Sequence, residues 1–388
     1  MFHHVFESCK TPADVREAEA KVVQLITEKK IKVEDISILD VAESTLGREG
    51  MRALRNANSD NAFVGVKEAV DPVNLSAFTN ITGNMIFEAA LASYTAPEFI
   101  GNELVTEEKS TRDGGFDTGL APIDDDAMIV KEGEEFPSVK FGEDYIKIPT
   151  SVKRGLKIGI TRELVFFDQT GKIIEQAQTI GGRLGTNKEK RILRTVLGID
   201  NGFERKGVAR NTYVLTGGGD PRVNAKASTT LTDYTSIDTA MQLFADMNDD
   251  RAVGEPISVM PDTMLIPWGL QWTAKRILNA TELRVVTNTT NTAITPNIVP
   301  GMRVISSPWI GNLLVAAGST AANAAKYWYL GQFKKAFKYR TLFPFQVKAA
   351  QHDKDDFERD VIAQFRADER GVPRIVAPWY AAKFYDVA

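Results

Sequence analysis

Cysteine and histidine are nearly absent from this chain. Cys9 is its one cysteine, so no intrachain disulfide can form and a zinc site built from several thiolates is excluded. The three histidines are His3, His4 and His352. A Ser-His-Asp hydrolase would have to take its base from these, and a histidine-rich metal centre has almost nothing to work with. Long apolar runs are lacking too: none reaches the ~18–20 residues of a membrane-spanning helix. The start, Met-Phe-His-His-Val-Phe-Glu-Ser-Cys-Lys, has no apolar stretch of signal-peptide length. A soluble, intracellular chain is therefore expected. Positive charge is not in excess: 47 Lys and Arg stand against 51 Asp and Glu, a net charge of −4. A protein that wraps nucleic acid in a basic surface is usually basic.

What is present points to a folded chain with more than one core. At 388 residues it is two or three domains long by ordinary domain size. Its 43% hydrophobic and 25% charged residues exclude wholesale disorder. Thr11 and Pro12 read as an N-cap and first helical position, and Val15, Ala18, Val22, Leu25 and Ile26 then share one face. This predicts a two-faced helix over Pro12–Lys30 whose apolar stripe packs on another part of an assembly. Helical character continues from Ile31 to Asn58, broken at Gly47 and Gly50. After Asp71-Pro72 a further helix carries Ile81, Met85, Ile86, Ala89 and Ala90 on one face and ends before Pro97. The longest helix signal covers 169–197. It is interrupted by Gly181, Gly182 and Gly185, each costing about 1 kcal/mol against Ala unless a close crossing or a bend needs it.

Residues 102–160 lack helical stripes, and Leu156, Ile158 and Ile160 near their end alternate as in a strand. Between Arg112 and Asp144 ten acids stand against three bases, including Asp124-Asp125-Asp126 and Glu132, Glu134 and Glu135. Such a long extended excursion without a core of its own is usually functional or an arm. The rest mixes helices, after Ser236 and over Trp268–Leu278, with strand-like runs at Ile257–Met260, Met302–Ile305, Leu313–Ala316, Tyr327–Leu330, Phe343–Val347, Val361–Phe365 and Arg374–Ala377. Trp268 and Trp272, four apart, share a helix face, and at least one is expected in the core. Asn288–Pro300 reads as a Thr/Asn-rich loop. The order does not alternate as βαβ, which argues α+β.

Candidate motifs are weak when weighed. Gly217-Gly218-Gly219 lacks the strand and GK[S/T] context of a phosphate loop, and Gly181–Gly185 lacks the strand of a dinucleotide fingerprint. Asp124–Asp126 lacks the calcium-loop spacing. The mixed-charge run Glu358–Arg374 reads as a solvent-exposed strand face or as a ladder of Arg–carboxylate pairs to a neighbour. Gln332–Lys348 interleaves Lys334, Lys335, Lys338 and Arg340 with aromatics, a combination suited to DNA bound without sequence preference, although half-buried strands with lysines outward explain it as well. No catalytic, cofactor-binding or metal-ligating residue is assigned, and no enzymatic activity is expected.

A family resemblance lies in a series of segments rather than in one motif. Gly301-Met302-Arg303-Val304-Ile305, Tyr329-Leu330-Gly331-Gln332-Phe333, Asp355-Asp356-Phe357-Glu358-Arg359, Phe365-Arg366-Ala367-Asp368-Glu369-Arg370 and Ala377-Pro378 together resemble the closing third of tailed-bacteriophage major capsid proteins. Ile160-Thr161-Arg162-Glu163-Leu164, with Asp168 and the long helix, resembles the start of that family's spine helix. The resemblance covers about residues 70–388 and implies the α+β Hong Kong 97-type capsid fold. It divides the chain into an N-terminal helical extension (1–70), an N-arm (71–103), an E-loop (104–160), a peripheral domain (161–235 and 325–374) and an axial domain (236–324 and 375–388). It implies pentamers and hexamers closing into an icosahedral virion shell, assembled in the host cytoplasm around double-stranded DNA. Portal, scaffolding and decoration proteins are the implied partners, and no membrane or cofactor is involved. An encapsulin-like compartment enclosing protein cargo is the alternative within the fold; a hydrolase or a soluble DNA-binding protein are the alternatives outside it.

The charge pattern adds an expectation for the subunit interface. An arm with ten acids needs bases opposite it, and in a homo-oligomer each copy offers both surfaces. Asp124, Asp125, Asp126, Glu132, Glu134 and Glu135 are expected to dock on Arg183, Arg191, Arg194, Arg359, Arg366, Arg370 and Arg374 of a neighbour. Lys334, Lys335, Lys338 and Arg340 are the candidate DNA-facing residues.

Overall fold

The computed structural model describes residues 12–56, 72–122, 130, 132, 135, 141–200, 202–215, 222–248, 256–288, 291–297, 301–350 and 361–386. The chain forms two compact units, both of mixed helix and strand, as the α+β reading expects.

The first unit comprises Met1–Phe99, Val152–Asn187 and Phe343–Arg370. Its centre is the helix Pro72–Tyr94, whose only charged residue is Glu88 and whose apolar side chains are spread around the axis. A helix of that composition is stable only when covered on most sides. The helices Pro12–Thr27 and Ile38–Asn56 cover it from the N-terminal side, the latter kinked at Gly47 where φ is 68°. The predicted stripe is buried there, with Val22 and Ile26 each 1% exposed. The expectation that this stripe awaits another part of an assembly is thereby corrected: its partner lies in the same chain. The start of the long helix Thr170–Val196 and the strands Val152–Thr161, Phe337–Ala350 and Val361–Ile375 contribute Ile158, Ile160, Ile173, Ala177, Phe345 and Phe365 to the same core.

Two local devices hold this core in register. Asp168, in the left-handed region at φ 47°, accepts hydrogen bonds from Ser37 Oγ and Thr170 Oγ1 at 2.9 and 2.8 Å. Thr170 Oγ1 accepts from the Ile38 N–H at 2.8 Å, so the starts of two helices share one polar knot. Gly181 and Gly185 supply the second. A methyl group at Gly181 would overlap the Ala90 carbonyl, and one at Gly185 would lie 2.9 Å from the Tyr94 carbonyl oxygen. The glycines therefore serve a close crossing of the long helix against Pro72–Tyr94.

The second unit comprises Ile100–Ser151, Lys188–Leu342 and Gly371–Ala388. Its five-stranded sheet runs in the order Arg303–Ser307, Thr263–Pro267, Trp328–Gly331, Ala381–Phe384, Ala225–Lys226. The first and last pairings are parallel and the two between are antiparallel. Side chains alternate between its faces as strand geometry requires. Met264, Ile266, Trp328, Leu330, Ala382 and Phe384 join a core with the helices Tyr234–Ala245 and Gln271–Leu278. Leu265, Ile305, Tyr329 and Ala381 face a second core with the helix Pro308–Ala316 and the end of the long helix at Ile192, Leu193 and Val196. Strand Thr106–Lys109 pairs in parallel with Lys338–Thr341. The acidic stretch forms an antiparallel hairpin, Gly115–Pro122 with Phe141–Ile148, which meets strand Phe203–Arg205 at Ile146.

Several local expectations are corrected. The strand expected at Ile257–Met260 lies at Thr263–Pro267, where β-branched and apolar residues are buried on both faces. Leu313–Ala316 is helical: Ser307 caps it by accepting from the Trp309 N–H, and Pro308 occupies the first turn. Asn288–Pro300 is not simply a loop, because Asn291–Pro296 pairs with Glu282–Asn288.

The close helix crossing makes a direct prediction. Gly181→Ala should destabilise the chain by about 1–3 kcal/mol, the usual cost of overpacking. Gly182→Ala, where a Cβ would meet nothing within 4 Å, should be neutral or slightly stabilising. Urea unfolding of both variants checks this, and equal midpoints would contradict the crossing.

Candidate functional site

Surfaces, rather than a pocket, carry the chemistry of this chain. Among the described residues no group of three or more His, Cys, Asp or Glu side chains could hold a metal ion, and no helix is long and apolar enough to cross a membrane. The groove between Pro12–Thr27 and Pro72–Tyr94 is shallow, and its Asn80 Nδ2 donates to Glu19 Oε1 at 2.8 Å.

The base of the acidic hairpin is held by cations of its own chain. Arg374, whose side chain is 2% exposed, donates to Glu108 Oε2 at 2.6 Å and to Asp117 Oδ2 at 2.9 Å. It thereby ties strand Val361–Ile375 to both Thr106–Lys109 and Gly115–Pro122. Glu108 also lies 3.8 Å from Lys338 Nζ. Glu107 receives the Lys188 ammonium at 2.6 Å, and that ammonium sits 4.7 Å from the centre of the Tyr339 ring. Arg340 is buried and donates to Ser110 Oγ.

These positions redistribute the expected interface. Arg374 is committed inside its own chain. Arg191 donates to the Gly371 carbonyl at 2.8 Å, and Arg194 grips Asp200 in a fork at 2.9 and 2.7 Å, which raises its pKa. Arg370 is half-buried, whereas Arg183 is exposed. Arg366 is exposed and 3.7 Å from the buried Asp368, which also takes Lys153 at 2.9 Å. Glu132 and Glu135 are exposed. Asp124, Asp125, Asp126, Glu134 and Arg359 lie outside the described residues. Of the DNA-facing candidates, Lys334 and Lys335 are exposed and Lys338 is half-exposed. Burial withdraws Arg340 from any contact with a DNA phosphate in this conformation, and the reading of 358–374 as a wholly solvent-exposed charge run fails at Asp368, Glu369 and Arg374, each 2–3% exposed.

Sequence reasoning also missed three features. Trp268 and Trp272, expected to place at least one ring in the core, are 60% and 75% exposed, because the helix turns the smaller Ala274 and Ile277 inward instead. Phe116 stands exposed on the hairpin, edge-on to Tyr145 at 5.3 Å. Glu189 is buried on the long helix, and its carboxylate accepts from the backbone N–H groups of Ile100 and Gly101 at 3.2 and 2.7 Å. Gly101 is needed there, since a Cβ would press on Glu189 Oε2. Burial raises the Glu189 pKa to about 7, against the pull of those two N–H donors and of Lys188.

The family model described as phage capsid protein matches residues 145–381. The chain belongs to the phage capsid protein family. The match begins within strand Phe141–Ile148, takes in the long helix and four strands of the five-stranded sheet, and ends at Ala381, the first residue of the fifth. Among solved structures the chain is similar to one from Gordonia phage Cozz, at 12% identity and a TM-score of 0.44, covering 75% of this chain and 87% of that one. It is also similar to the capsid asymmetric unit of cyanophage Pam1, at 13% identity and a TM-score of 0.42, covering 75% and 92%. A third is the virus-like particle from Pyrococcus furiosus, at 12% identity and a TM-score of 0.38, covering 77% and 97%. No curated protein matches. A structural role in a capsid shell follows from the family.

Glu189 predicts a pH dependence with a definite sign. Between the ordinary carboxyl value of 4.5 and about 7, the folded chain keeps a proton that the unfolded chain has released. Its contribution to stability is therefore full below pH 4.5 and is lost as pH rises through about 7. Glu189→Gln should flatten this part of the profile. Urea midpoints of the variant and the parent, measured from pH 5 to 8, should converge in shape only if other groups dominate.

Proposed function

We propose that the chain is the repeating major subunit of an icosahedral shell with Hong Kong 97-type organisation, closing as pentamers and hexamers around double-stranded DNA of a tailed phage or prophage. The observation that carries this reading, beyond the family, is the hairpin Gly115–Pro122 with Phe141–Ile148. The side chains from Gly115 to Thr118 are exposed, Phe116 among them; strand Phe203–Arg205 joins the hairpin only at Ile146, and beyond that point it runs on as a two-stranded ribbon, which is marginal in water without a further surface to pack on. A second copy supplies such a surface in a closed shell.

In this reading the hairpin is the E-loop and Pro72–Tyr94 the N-arm. The long helix with the strands Phe337–Ala350 and Val361–Ile375 forms the peripheral domain, and the five-stranded sheet with its two helices forms the axial domain, which thereby takes Ala225–Lys226 and Trp328–Gly331 from the peripheral bounds read from sequence. The interface set narrows to groups with an open side: Glu132 and Glu135 on the acidic stretch, with Arg183 and Arg366 as the exposed cations. Exposed pairs contribute only about 0–1 kcal/mol each, so closure draws on their repetition around the shell. Lys334 and Lys335 are the open lysines for packaged DNA. Binding there is through phosphate charge and carries no sequence preference. Scaffolding, portal and decoration proteins complete the particle in the virion, and assembly takes place in the host cytoplasm. The subunit acts as a building block and not as an enzyme.

Electron microscopy of particles from expressing cells, with a nuclease-protection assay, tests this. Closed shells of uniform diameter containing protected double-stranded DNA are expected in infected or induced cells. Shells filled with protein and free of DNA would instead mark a cargo compartment, and a dispersed monomer at every concentration would contradict the shell itself. Replacing Glu132, Glu134 and Glu135 together with Lys should leave the subunit folded and block closure. Normal shells from that triple variant would exclude the acidic stretch from the interface.

A further inference from the structure

The helix Gln271–Leu278 presents an apolar surface that its own unit does not use. Ala274 and Ile277 turn inward to the sheet, while Trp272 is 75% exposed, Trp268 60% and, earlier in the chain, Met260 70%. The rim of this patch is basic: Lys275 Nζ lies 5.3 Å from the Trp272 ring centre, Arg276 is exposed beside it, and Trp268–Leu278 contains no acid. Large exposed aromatics with Met and Arg are the composition of interface centres rather than of open surface.

The neighbouring helix on the same sheet face has the opposite character. Tyr234–Ala245 packs Ile237, Ala240 and Phe244 into the same core as Ala274 and Ile277. It exposes Asp233, Asp238 and Asp246, and the chain carries no Lys or Arg from Asp233 to Asp250. One copy therefore offers a basic, aromatic helix and an acidic helix at separate places. Pairing the basic patch with itself across a two-fold would set Lys275 and Arg276 of two copies against each other, a repulsive arrangement. Pairing it with the acidic helix of another copy joins opposite charges. Made head to tail, such a contact is heterologous, and it builds a ring where the rotation between copies closes.

We infer that the Trp268–Trp272 face with Lys275 and Arg276 docks on the Tyr234–Ala245 helix of the next copy, and that this contact closes the ring-shaped capsomer. The inference rests on the shell-subunit reading and adds to it the surfaces that join copies within a ring. The tryptophans supply the buried area. The charges choose the partner surface and reject pairing of the basic patch with itself.

A charge-reversal pair tests it. Lys275→Glu with Arg276→Glu makes both surfaces acidic, and Asp238→Lys with Asp246→Lys makes both basic. All four side chains are exposed, so both variants should unfold in urea as the parent does. Each alone should fail to form capsomers by analytical ultracentrifugation, with the subunit concentration for half-assembly raised at least about tenfold. Mixed in equal amounts, they should assemble again, and only into rings with an even number of copies, because the two types must alternate. Assembly of either variant alone at the parent's concentration would overturn the inference while leaving the shell reading intact. So would parent capsomers in which acrylamide quenches Trp272 as freely as in the monomer, since the face would then be open to a different partner. A parent chain that never leaves the monomer would instead overturn the shell reading.

Discussion

The approach of two helices at Gly181 and Gly185 is the constraint on which the first unit depends. Neither glycine is tolerated cheaply inside a helix of 27 residues, and each loses its purpose if the helices separate by the width of a methyl group. Close approach brings the nearly uncharged helix Pro72–Tyr94 into a position where the helices Pro12–Thr27 and Ile38–Asn56 can cover it. The apolar stripe of the first helix is consumed there. N-terminal segments that read from sequence as appendages are thus core, and replacing their buried side chains would disturb the fold before it disturbed any partner.

In the second unit the dominant theme is how arginine is used. Arg374 is buried where two carboxylates converge, so breaking the cluster would leave either a charge or a cavity behind. Arg194 is held in a fork by Asp200, and Arg191 by a backbone carbonyl. Arg191, Arg194 and Arg374, three of the interface candidates read from sequence, are thus engaged within the chain. Arg374 anchors the acidic hairpin at Asp117, next to the exposed Phe116.

Much of this architecture was legible in the sequence, and the losses have identifiable causes. Strong periodicity located the long helix to within a residue or two, and alternation located strand Val152–Thr161. The order of the C-terminal segments pointed to the family that the model match then established. Charged residues misled, because Asp368, Glu369 and Arg374 look like a solvent-facing run and are buried by pairing that no local pattern reveals. Gln271–Leu278 misled for a different reason. It has an apolar residue on each side, and only the tertiary packing decides that Ala274 and Ile277 fit against the sheet while the larger indoles remain outside. At Leu313–Ala316 the signal was present in Ser307-Pro308, a cap followed by a first-turn proline, but the apolar run outweighed it. Glu189 left no sequence signal, since its role comes from backbone N–H groups at Ile100 and Gly101 rather than from a partner side chain.

The central claim is that each unit has a complete core of its own and that the hairpin and the tryptophan face are completed only by other copies. Hydrogen–deuterium exchange compared between dispersed subunits and assembled particles tests this most directly. The account predicts new protection concentrated in Gly115–Pro122, Phe141–Ile148 and Gln271–Leu278, with the helix Pro72–Tyr94 and the strands Thr263–Pro267 and Trp328–Gly331 already protected in the dispersed subunit. Protection that arises mainly in those core elements on assembly, or none at the hairpin and the tryptophan helix, would contradict it.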